Sequence, residues 1–204
     1  MFMSVCAFSF MDLIVKWSEH YPLGQVLFFR GFFGVLIYFF IMPRERIKNF
    51  YLTKRAGLHF LRCIFGLIAL IAIFIALRNL PLATVVSISF AAPIFTTIFS
   101  ILLLNEKVGF YRWLAVSIGF IGIIVITEPG FGDLNIYYIY PIIFCLGLSY
   151  VAIAIRQLST TEPVWLIALN FSILITLASL FTIPFGWVMP NIQDLVLLCM
   201  IGFL

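Results

Sequence analysis

Residues 78–122 read RNLPLATVVSISFAAPIFTTIFSILLLNEKVGFYRWLAVSIGFIG. This stretch holds two apolar runs joined by a short Asn-Glu-Lys turn, with Pro93 deep inside the first run and Gly119 and Gly122 inside the second. An α-helix rises about 1.5 Å per residue, so about 20 apolar residues cross a hydrocarbon core of about 30 Å. The run from Pro81 to Leu104 is long enough to do so. We therefore predict an integral membrane protein.

Composition supports the same prediction independently. Of the 204 residues, 64% are hydrophobic and only 10% are charged, and the mean hydropathy is +1.20. Soluble domains carry about 25% charged residues, so a soluble core is excluded. The net charge of +4 does not indicate a nucleic-acid partner, because the basic residues lie in short turns between apolar runs and form no stripe.

Apolar runs recur along the whole chain. We predict membrane spans at residues 2–18, 24–42, 58–77, 82–104, 110–127, 136–155 and 164–185, with an eighth starting near 194. The eighth has only about ten residues, too few to cross a bilayer. Because lipid does not tolerate unpaired backbone groups, we expect the chain to be part of a longer protein.

The distribution of charge predicts the orientation. The 43–57 connection is the most basic loop, and by the positive-inside rule it is cytoplasmic. The other loops then divide by sign. The loops placed inside contain Lys107, Arg112 and Arg156, and those placed outside contain Glu19, Glu128, Asp133 and Asp194, with Arg78 as the basic exception. We therefore predict a cytoplasmic N-terminus and a multi-pass protein of the cell membrane, the inner membrane of a bacterium.

A faint internal repeat is also present. Lys16 is followed by Pro22 and then by Arg30 in the next apolar run, while Arg156 is followed by Pro163 and then by Asn170. The two copies lie five spans apart, and an odd number of spans reverses the direction of the second copy. Inverted repeats of this kind are typical of secondary transporters that work by alternating access.

These residues resemble the drug/metabolite transporter superfamily with EamA-type repeats. The matching positions are Lys16, Pro22, Arg30, the Leu80-Pro81 turn, Pro93, Leu104 to Lys107, Arg112-Trp113 and the later glycines. The order and spacing of these motifs agree over more than half of the chain, and this agreement makes the resemblance specific. Any single motif would be weak evidence. The stretch around Pro93 is also similar to members described as importers of S-adenosylmethionine or other metabolites.

The resemblance implies an all-α polytopic bundle of ten helices in two inverted five-helix halves. Residues 1–129 would form the first EamA-type repeat, and residues 135–204 would form part of the second, truncated in its third helix. About seven and a half of the ten helices would then be present.

Charged side chains at membrane depth are usually paired or functional. Asp12 and Lys16 are four residues apart in the first span, so they share a helix face. Either they neutralise each other for insertion, or Lys16 meets an anionic group of a substrate. Arg30 lies too deep to reach the interface easily, so it either pairs with Asp12 or contacts substrate. Asp12 is also the candidate carrier of a coupling proton.

The fourth span carries a polar line. Ser89, Pro93, Thr96 and Ser100 fall at i, i+4, i+7 and i+11, on one face of a helix. Pro93 frees a backbone carbonyl, which is tolerable only against protein or water, so we expect this face to point inward. Two interpretations remain. The line either binds substrate or packs helices closely while its hydroxyls bond to their own backbone.

A second line, Ala168, Ser172, Thr176 and Ser179 in the seventh span, favours packing. Tyr150 and Asn170 are candidates for a substrate cavity, with hydrogen bonds between helices as the alternative. The cysteines Cys6, Cys63, Cys145 and Cys199 lie in apolar runs without metal-ligand spacing, so they are expected to act as small buried hydrophobes.

Catalytic chemistry has no support in the sequence. Gly130 to Asp133 matches the GxGD string of intramembrane aspartyl proteases, but it follows a proline and has no second carboxylate motif, so it indicates a turn. His20 and His59 are placed in loops without ligand spacing, so no metal site is predicted. We find no nucleophile with a base and no phosphate loop, so no cofactor or ATP-driven step is expected.

The sequence thus predicts a secondary transporter of a small polar metabolite, with the lipid bilayer and that metabolite as its partners. The candidate substrate contacts are Lys16, Arg30, Ser89, Pro93, Thr96, Tyr150 and Asn170, and the candidate coupling residue is Asp12. A non-transporting membrane subunit or sensor is the alternative, and a membrane-embedded enzyme is less favoured.

Overall fold

The computed structural model describes residues 2–41, 53, 55–106, 109–127 and 136–203. Within these residues the secondary structure is helical, without strands. The α-helices are α1 (Phe2–Trp17), α2 (Leu23–Ile41), α3 (Ala56–Asn79), α4 (Leu82–Ser89), α5 (Ala92–Leu104), α6 (Phe110–Thr127), α7 (Ile139–Leu158), α8 (Val164–Leu180) and α9 (Ile192–Phe203). Single turns of 3-10 helix cover Ile136–Tyr138 and Ile183–Phe185.

Four stretches are long and apolar enough to cross a membrane: Leu23–Phe40, Ala56–Asn79, Leu82–Leu104 and Ile136–Leu158. Shorter apolar helices cover Trp113–Gly122, Val164–Leu180 and Asp194–Phe203. The chain is therefore an all-α, multi-pass membrane protein, as its composition predicts. Most of the basic loop that sets the predicted orientation, including Lys48, lies outside the described residues, as do Lys107, Glu128 and the turn from Gly130 to Asp133.

One predicted span differs in detail from the structure. Residues 82–104 form two helices, α4 and α5, separated at Phe90 and Ala91. Pro93 cannot donate a backbone hydrogen bond to Ser89, so the regular ladder cannot continue through this point. Pro93 instead occupies the first turn of α5, where a missing N–H costs nothing.

The chain divides into two compact units. Unit one consists of residues 1–63 and 158–204, and unit two of residues 64–157. In unit one, α2 packs against α8 and α9, and α1 also packs against α9.

The contact between α2 and α8 depends on glycine. A Cβ atom at Gly31 would lie 2.6 Å from Thr176 Oγ1 and 2.8 Å from its backbone nitrogen, and one at Gly34 would lie 2.8 Å from Ser172 Oγ. Such distances leave no room for a side chain, so the two backbones approach closely. Small residues allow this approach in membrane helix pairs. The predicted packing role of the α8 line is consistent with this geometry.

In unit two, α3 and α7 also meet at a glycine. A Cβ atom at Gly147 would lie 2.8 Å from Ala69 Cβ and 3.0 Å from the carbonyl oxygen of Phe65. Helices α4 and α5 both pack against α6. Helix α5 ends at Asn105, which adopts a left-handed conformation with φ 51° and ψ 32°. Asparagine tolerates this conformation well, and the turn places Glu106 directly after the helix.

Candidate functional site

An open cavity of about 700 Å³ lies within unit two, along the interrupted helix. From α4, α5 and the break between them its lining includes Ser89, Phe90, Ala92, Pro93, Thr96, Thr97 and Ser100, and Glu106 follows from the next connection. From α7 the lining includes Leu148, Ala152, Ile153 and Arg156. The wall is largely apolar with a few polar groups, as is usual for a small-molecule site.

The helix interruption is held in place by short-range backbone bonds. The Ala91 N–H donates to the carbonyl of Ile88 at 2.9 Å, and the Ile94 N–H donates to the carbonyl of Ala91 at 2.9 Å. These bonds span three residues instead of four, so the chain tightens for one turn between α4 and α5. Tight turns of this kind inside membrane helices often mark functional sites.

Side chains of helix α7 contact backbone carbonyls on both sides of the interruption. The Cys145 thiol lies 3.4 Å from the Ile88 oxygen and 3.7 Å from the Ser89 oxygen. One turn further, the Ser149 hydroxyl oxygen lies 2.8 Å from the Ala92 oxygen. Both side chains are fully buried. Pro93 leaves the Ser89 carbonyl without its helical N–H donor, and the Cys145 thiol partly compensates for this loss. The Ser149 hydroxyl also lies 2.6 Å from the Cys145 oxygen, so its single proton is shared between two carbonyls.

The hydroxyl groups of the cavity all bond to their own helix. Ser89 donates to Val85, Thr96 to Ala92, Thr97 to Pro93 and Ser100 to Thr97, with oxygen separations of 2.8 to 2.9 Å. A hydroxyl has a single proton but two lone pairs. Since the protons are already engaged, these oxygens offer acceptors to a ligand. The cavity is therefore suited to a molecule that donates hydrogen bonds.

One ion pair lines the cavity. Arg156 Nη2 lies 2.7 Å from Glu106 Oε1, and the side chains are 63% and 29% exposed. Pairs this exposed contribute at most about 1 kcal/mol to stability, because water screens them. The pair is therefore weak enough to be exchanged for contacts with a charged ligand. These are the only charged side chains that line the cavity within the described part of the chain.

The structure brings three of the predicted site residues together. Ser89, Pro93 and Thr96 lie along the same cavity, and Ser100 continues the line as its spacing predicts. Tyr150, although it is on α7, is not among the lining residues. Its ring packs on Phe65 instead, with centroids 4.3 Å apart.

The remaining predicted residues belong to unit one. Arg30 on α2 is partly buried, contacts the sulfur of Met11 through Nη1 and interacts electrostatically with Asp12. Lys16 lies one helical turn beyond Asp12 on α1, and Asn170 is partly buried on α8. No ion pair within 4 Å joins Asp12 and Arg30 among the ion pairs of the described residues, so their pairing stays a prediction. Roles for these residues in substrate binding remain predictions.

Sequence reasoning missed three features of the two units. The pairing of Glu106 with Arg156 joins residues that the sequence places in separate turns. Cys145 and Ser149 act at the helix break, although the cysteine was predicted only to fill space. The prediction that His59 lies in a loop is wrong, because it lies in the first turns of α3 and is buried against Glu162.

Comparison with known proteins identifies the family. Residues 1–128 match the EamA-like transporter family, which is more than half of the chain. The chain belongs to this family. The resemblance that the motifs around Pro93 and Arg112 indicate is thereby confirmed.

Several curated relatives are transporters. The S-adenosylmethionine uptake transporter of Rickettsia prowazekii is 29% identical over 180 residues, which cover 87% of this chain and 60% of the relative. The pseudopaline exporter of Pseudomonas aeruginosa is 27% identical over 184 residues, covering 88% and 62%. The riboflavin transporter of Vibrio cholerae is 31% identical over 147 residues, covering 72% and 49%. The chain thus spans about three fifths of the length of the first two relatives.

Proposed function

We propose that the complete protein is a secondary transporter of a small polar metabolite and works by alternating access. The cavity beside the interrupted helix of unit two carries this proposal. Irregular backbone at membrane depth is tolerated where it lines a cavity or is buried in protein, and transporters place their substrates at such breaks. Membership of a family of transporters supports the same function.

The chemistry of the cavity favours a substrate with hydrogen-bond donors. The hydroxyl oxygens of Ser89, Thr96 and Ser100 can accept from such a molecule, and Glu106 can accept from a cationic or donor group. Phe90, which is 66% exposed, offers a flat apolar surface beside them. Stacking on an aromatic face is favourable for a planar or cationic ligand. S-adenosylmethionine, named for the Rickettsia relative, is the first substrate to test.

The residues of unit one complete the proposal. Lys16, Arg30 and Asn170 would contact substrate as the two repeats rearrange, with Tyr150 of unit two as a further candidate, and Asp12 would carry a coupling proton. The N-terminus would lie in the cytoplasm, and the membrane would be the bacterial inner membrane. Residues 1–129 would be the first inverted repeat, and residues 135–204 would be part of the second.

The test is transport by the full-length protein in liposomes. We expect labelled S-adenosylmethionine to accumulate in a saturable manner, and unlabelled substrate inside the vesicles to accelerate entry by exchange. An imposed pH gradient shows whether protons contribute, and Asp12→Asn should abolish any such contribution. Saturable binding without flux would contradict the proposal and indicate a sensor, whereas chemical conversion of the substrate would indicate an enzyme.

A further inference from the structure

Unit one contains a buried pair of titratable side chains that the proposed cavity does not use. His59, the fourth residue of α3, is 5% exposed, and Glu162, in the turn between α7 and α8, is 6% exposed. The Nε2 atom of His59 is hydrogen-bonded to Oε2 of Glu162. The other carboxylate oxygen accepts a hydrogen bond of 2.5 Å from the hydroxyl of Thr53.

We propose that His59 and Glu162 form a proton-binding site at the cytoplasmic end of α3, and that proton binding there controls the transport cycle. The control of transport rests on the proposed function and its predicted orientation. The proton site itself rests on the geometry of the pair. Histidine is suited to this role because its charge ordinarily changes between about pH 5 and 8.

The arrangement of the pair specifies where the proton binds. Since a carboxylate can only accept, Nε2 of His59 must carry the hydrogen that faces Glu162. The opposite ring nitrogen, Nδ1, is buried and has no hydrogen-bond partner among the residues that the structure describes. An acceptor lone pair at Nδ1 fits this environment, whereas an N–H there would be a buried donor without an acceptor. The described arrangement is therefore that of neutral histidine.

The proton balance is simple. One proton from the cytoplasmic side binds to Nδ1, the imidazole becomes an imidazolium, and no other bond forms or breaks. Glu162 compensates the new charge, so the pair changes from a net charge of −1 to zero. The new Nδ1–H needs an acceptor, which requires water to enter or the residues around Nδ1 to shift while Glu162 stays in contact with Nε2. Proton uptake is thereby linked to a rearrangement of this end of unit one.

Among the described residues, charged and titratable groups near the pair lie on α3, directly before it and on α2. Arg62, one turn beyond His59, is buried, donates to the carbonyl of Ile167 at 3.3 Å and lies 4.4 Å from the centre of the Phe171 ring. Arg55 precedes His59 by four residues, and its carbonyl accepts the His59 backbone N–H at 3.1 Å. Cys63 on α3 and Tyr38 on α2 interact electrostatically with Arg62, and α8 contains no ionisable residue.

These neighbours favour a response to protons. Arg62 is already a buried cation, so a second positive charge on His59 is tolerated only while Glu162 stays ionised and in contact. The site thus accepts one proton and places it next to a fixed positive charge. Low cytoplasmic pH should therefore favour the rearranged form of this end, which we assign to the release of substrate during uptake.

The first measurement detects the proton directly. Nitrogen NMR of the full-length protein labelled at histidine, with the spectrum of His59→Gln subtracted, isolates the His59 signals. We expect them to change from the neutral Nε2–H form to the imidazolium as the buffer is acidified. In Glu162→Gln, His59 should stay neutral under the same conditions because the compensating charge is absent. A His59 signal that does not change with pH in the wild-type protein would overturn the proposal.

The second measurement detects the control of transport. With the cytoplasmic face exposed to the varied buffer, we expect uptake by wild-type protein to fall at least about threefold between pH 6 and 8, within the tenfold per pH unit that a single proton permits. His59→Gln should reduce this change to less than about 1.5-fold, because no proton is then linked to the rearrangement.

His20→Gln is the matched control. His20 also lies near a carboxylate, with Nε2 3.8 Å from Asp194 Oδ2, but its side chain is 60% exposed. It should retain the wild-type pH dependence. If His59→Gln retains that dependence at normal abundance, control by this site is refuted. Absence of flux in the wild-type protein would instead refute the proposed function, and the NMR titration would still decide whether the proton site exists.

Discussion

Two lines of small hydroxyl residues run along helices of this protein. One lies in a packed helix interface, and the other faces an open cavity. On α8, Thr176 and Ser179 donate hydrogen bonds to the carbonyls of Ser172 and Thr176. On α4 and α5, Ser89 and Thr96 donate in the same way to Val85 and Ala92. The line on α8 faces glycines of α2 at backbone contact, whereas the line on α4 and α5 faces a cavity.

The difference lies in the neighbouring residues and not in the hydroxyls. Gly31 and Gly34 let α2 close over the α8 line, which is therefore sealed. Pro93 interrupts the other helix, and its surroundings stay open. Hydroxyl spacing on a membrane helix therefore does not by itself distinguish a binding surface from a packing surface. The facing helix makes that distinction.

The largest loss of abundance and transport is expected at Arg30, which lies on α2 beside its packed interface with α8. Arg30→Ala should lower membrane abundance and flux, because it removes the cation that interacts electrostatically with Asp12 inside the apolar bundle. Arg30→Lys keeps the charge but loses the planar fork, so it should fold and transport poorly. Quantitative blotting and uptake per molecule separate these outcomes.

The double variant Arg30→Ala with Asp12→Asn tests the partner. If abundance returns and transport does not, Arg30 has both a structural partner and a role in substrate binding. Normal flux in Arg30→Ala at equal abundance would refute both roles.

The next effect tests the sealed interface itself. Gly31→Ala should destabilise the protein by about 1–3 kcal/mol, the usual cost of overpacking, because its Cβ would lie 2.8 Å from the backbone nitrogen of Thr176. Thermal unfolding of the full-length protein in detergent measures the loss. Gly119→Ala on α6 is the control, since a Cβ there meets nothing within 4 Å. Equal melting temperatures for the two variants would refute the close approach of α2 and α8.

A smaller and opposite effect is expected at the helix break. Pro93→Ala restores an N–H that can bond to the Ser89 carbonyl, so α4 and α5 can join into one helix. We expect stability to be unchanged or to rise by up to about 1 kcal/mol, while the transport rate falls. Uptake per molecule and thermal unfolding measured on the same preparation check this prediction. A loss of stability with normal uptake would show that the interruption serves folding alone.

The sequence predicts much of this architecture because apolar runs and helix faces are local properties. The spacing of Ser89, Pro93, Thr96 and Ser100 predicts their shared face correctly, whereas the single predicted span 82–104 is interrupted in the structure at Phe90 and Ala91. The partners of these features lie far along the chain. His59 and Glu162 are 103 residues apart, and Ser149 is 57 residues from the carbonyl it meets. Contacts of that kind depend on how helices pack, which local spacing does not specify.

The most direct test compares Thr96→Val with Thr176→Val in uptake per molecule at low substrate concentration. Both substitutions keep the shape of the side chain and remove a hydroxyl that bonds to its own helix. We predict about a fivefold loss of uptake in Thr96→Val, equivalent to one hydrogen bond of about 1 kcal/mol, with normal abundance. Thr176→Val should transport normally. Equal uptake by the two variants, or a larger loss in Thr176→Val, would contradict the assignment of the hydroxyl line on α4 and α5 to substrate binding.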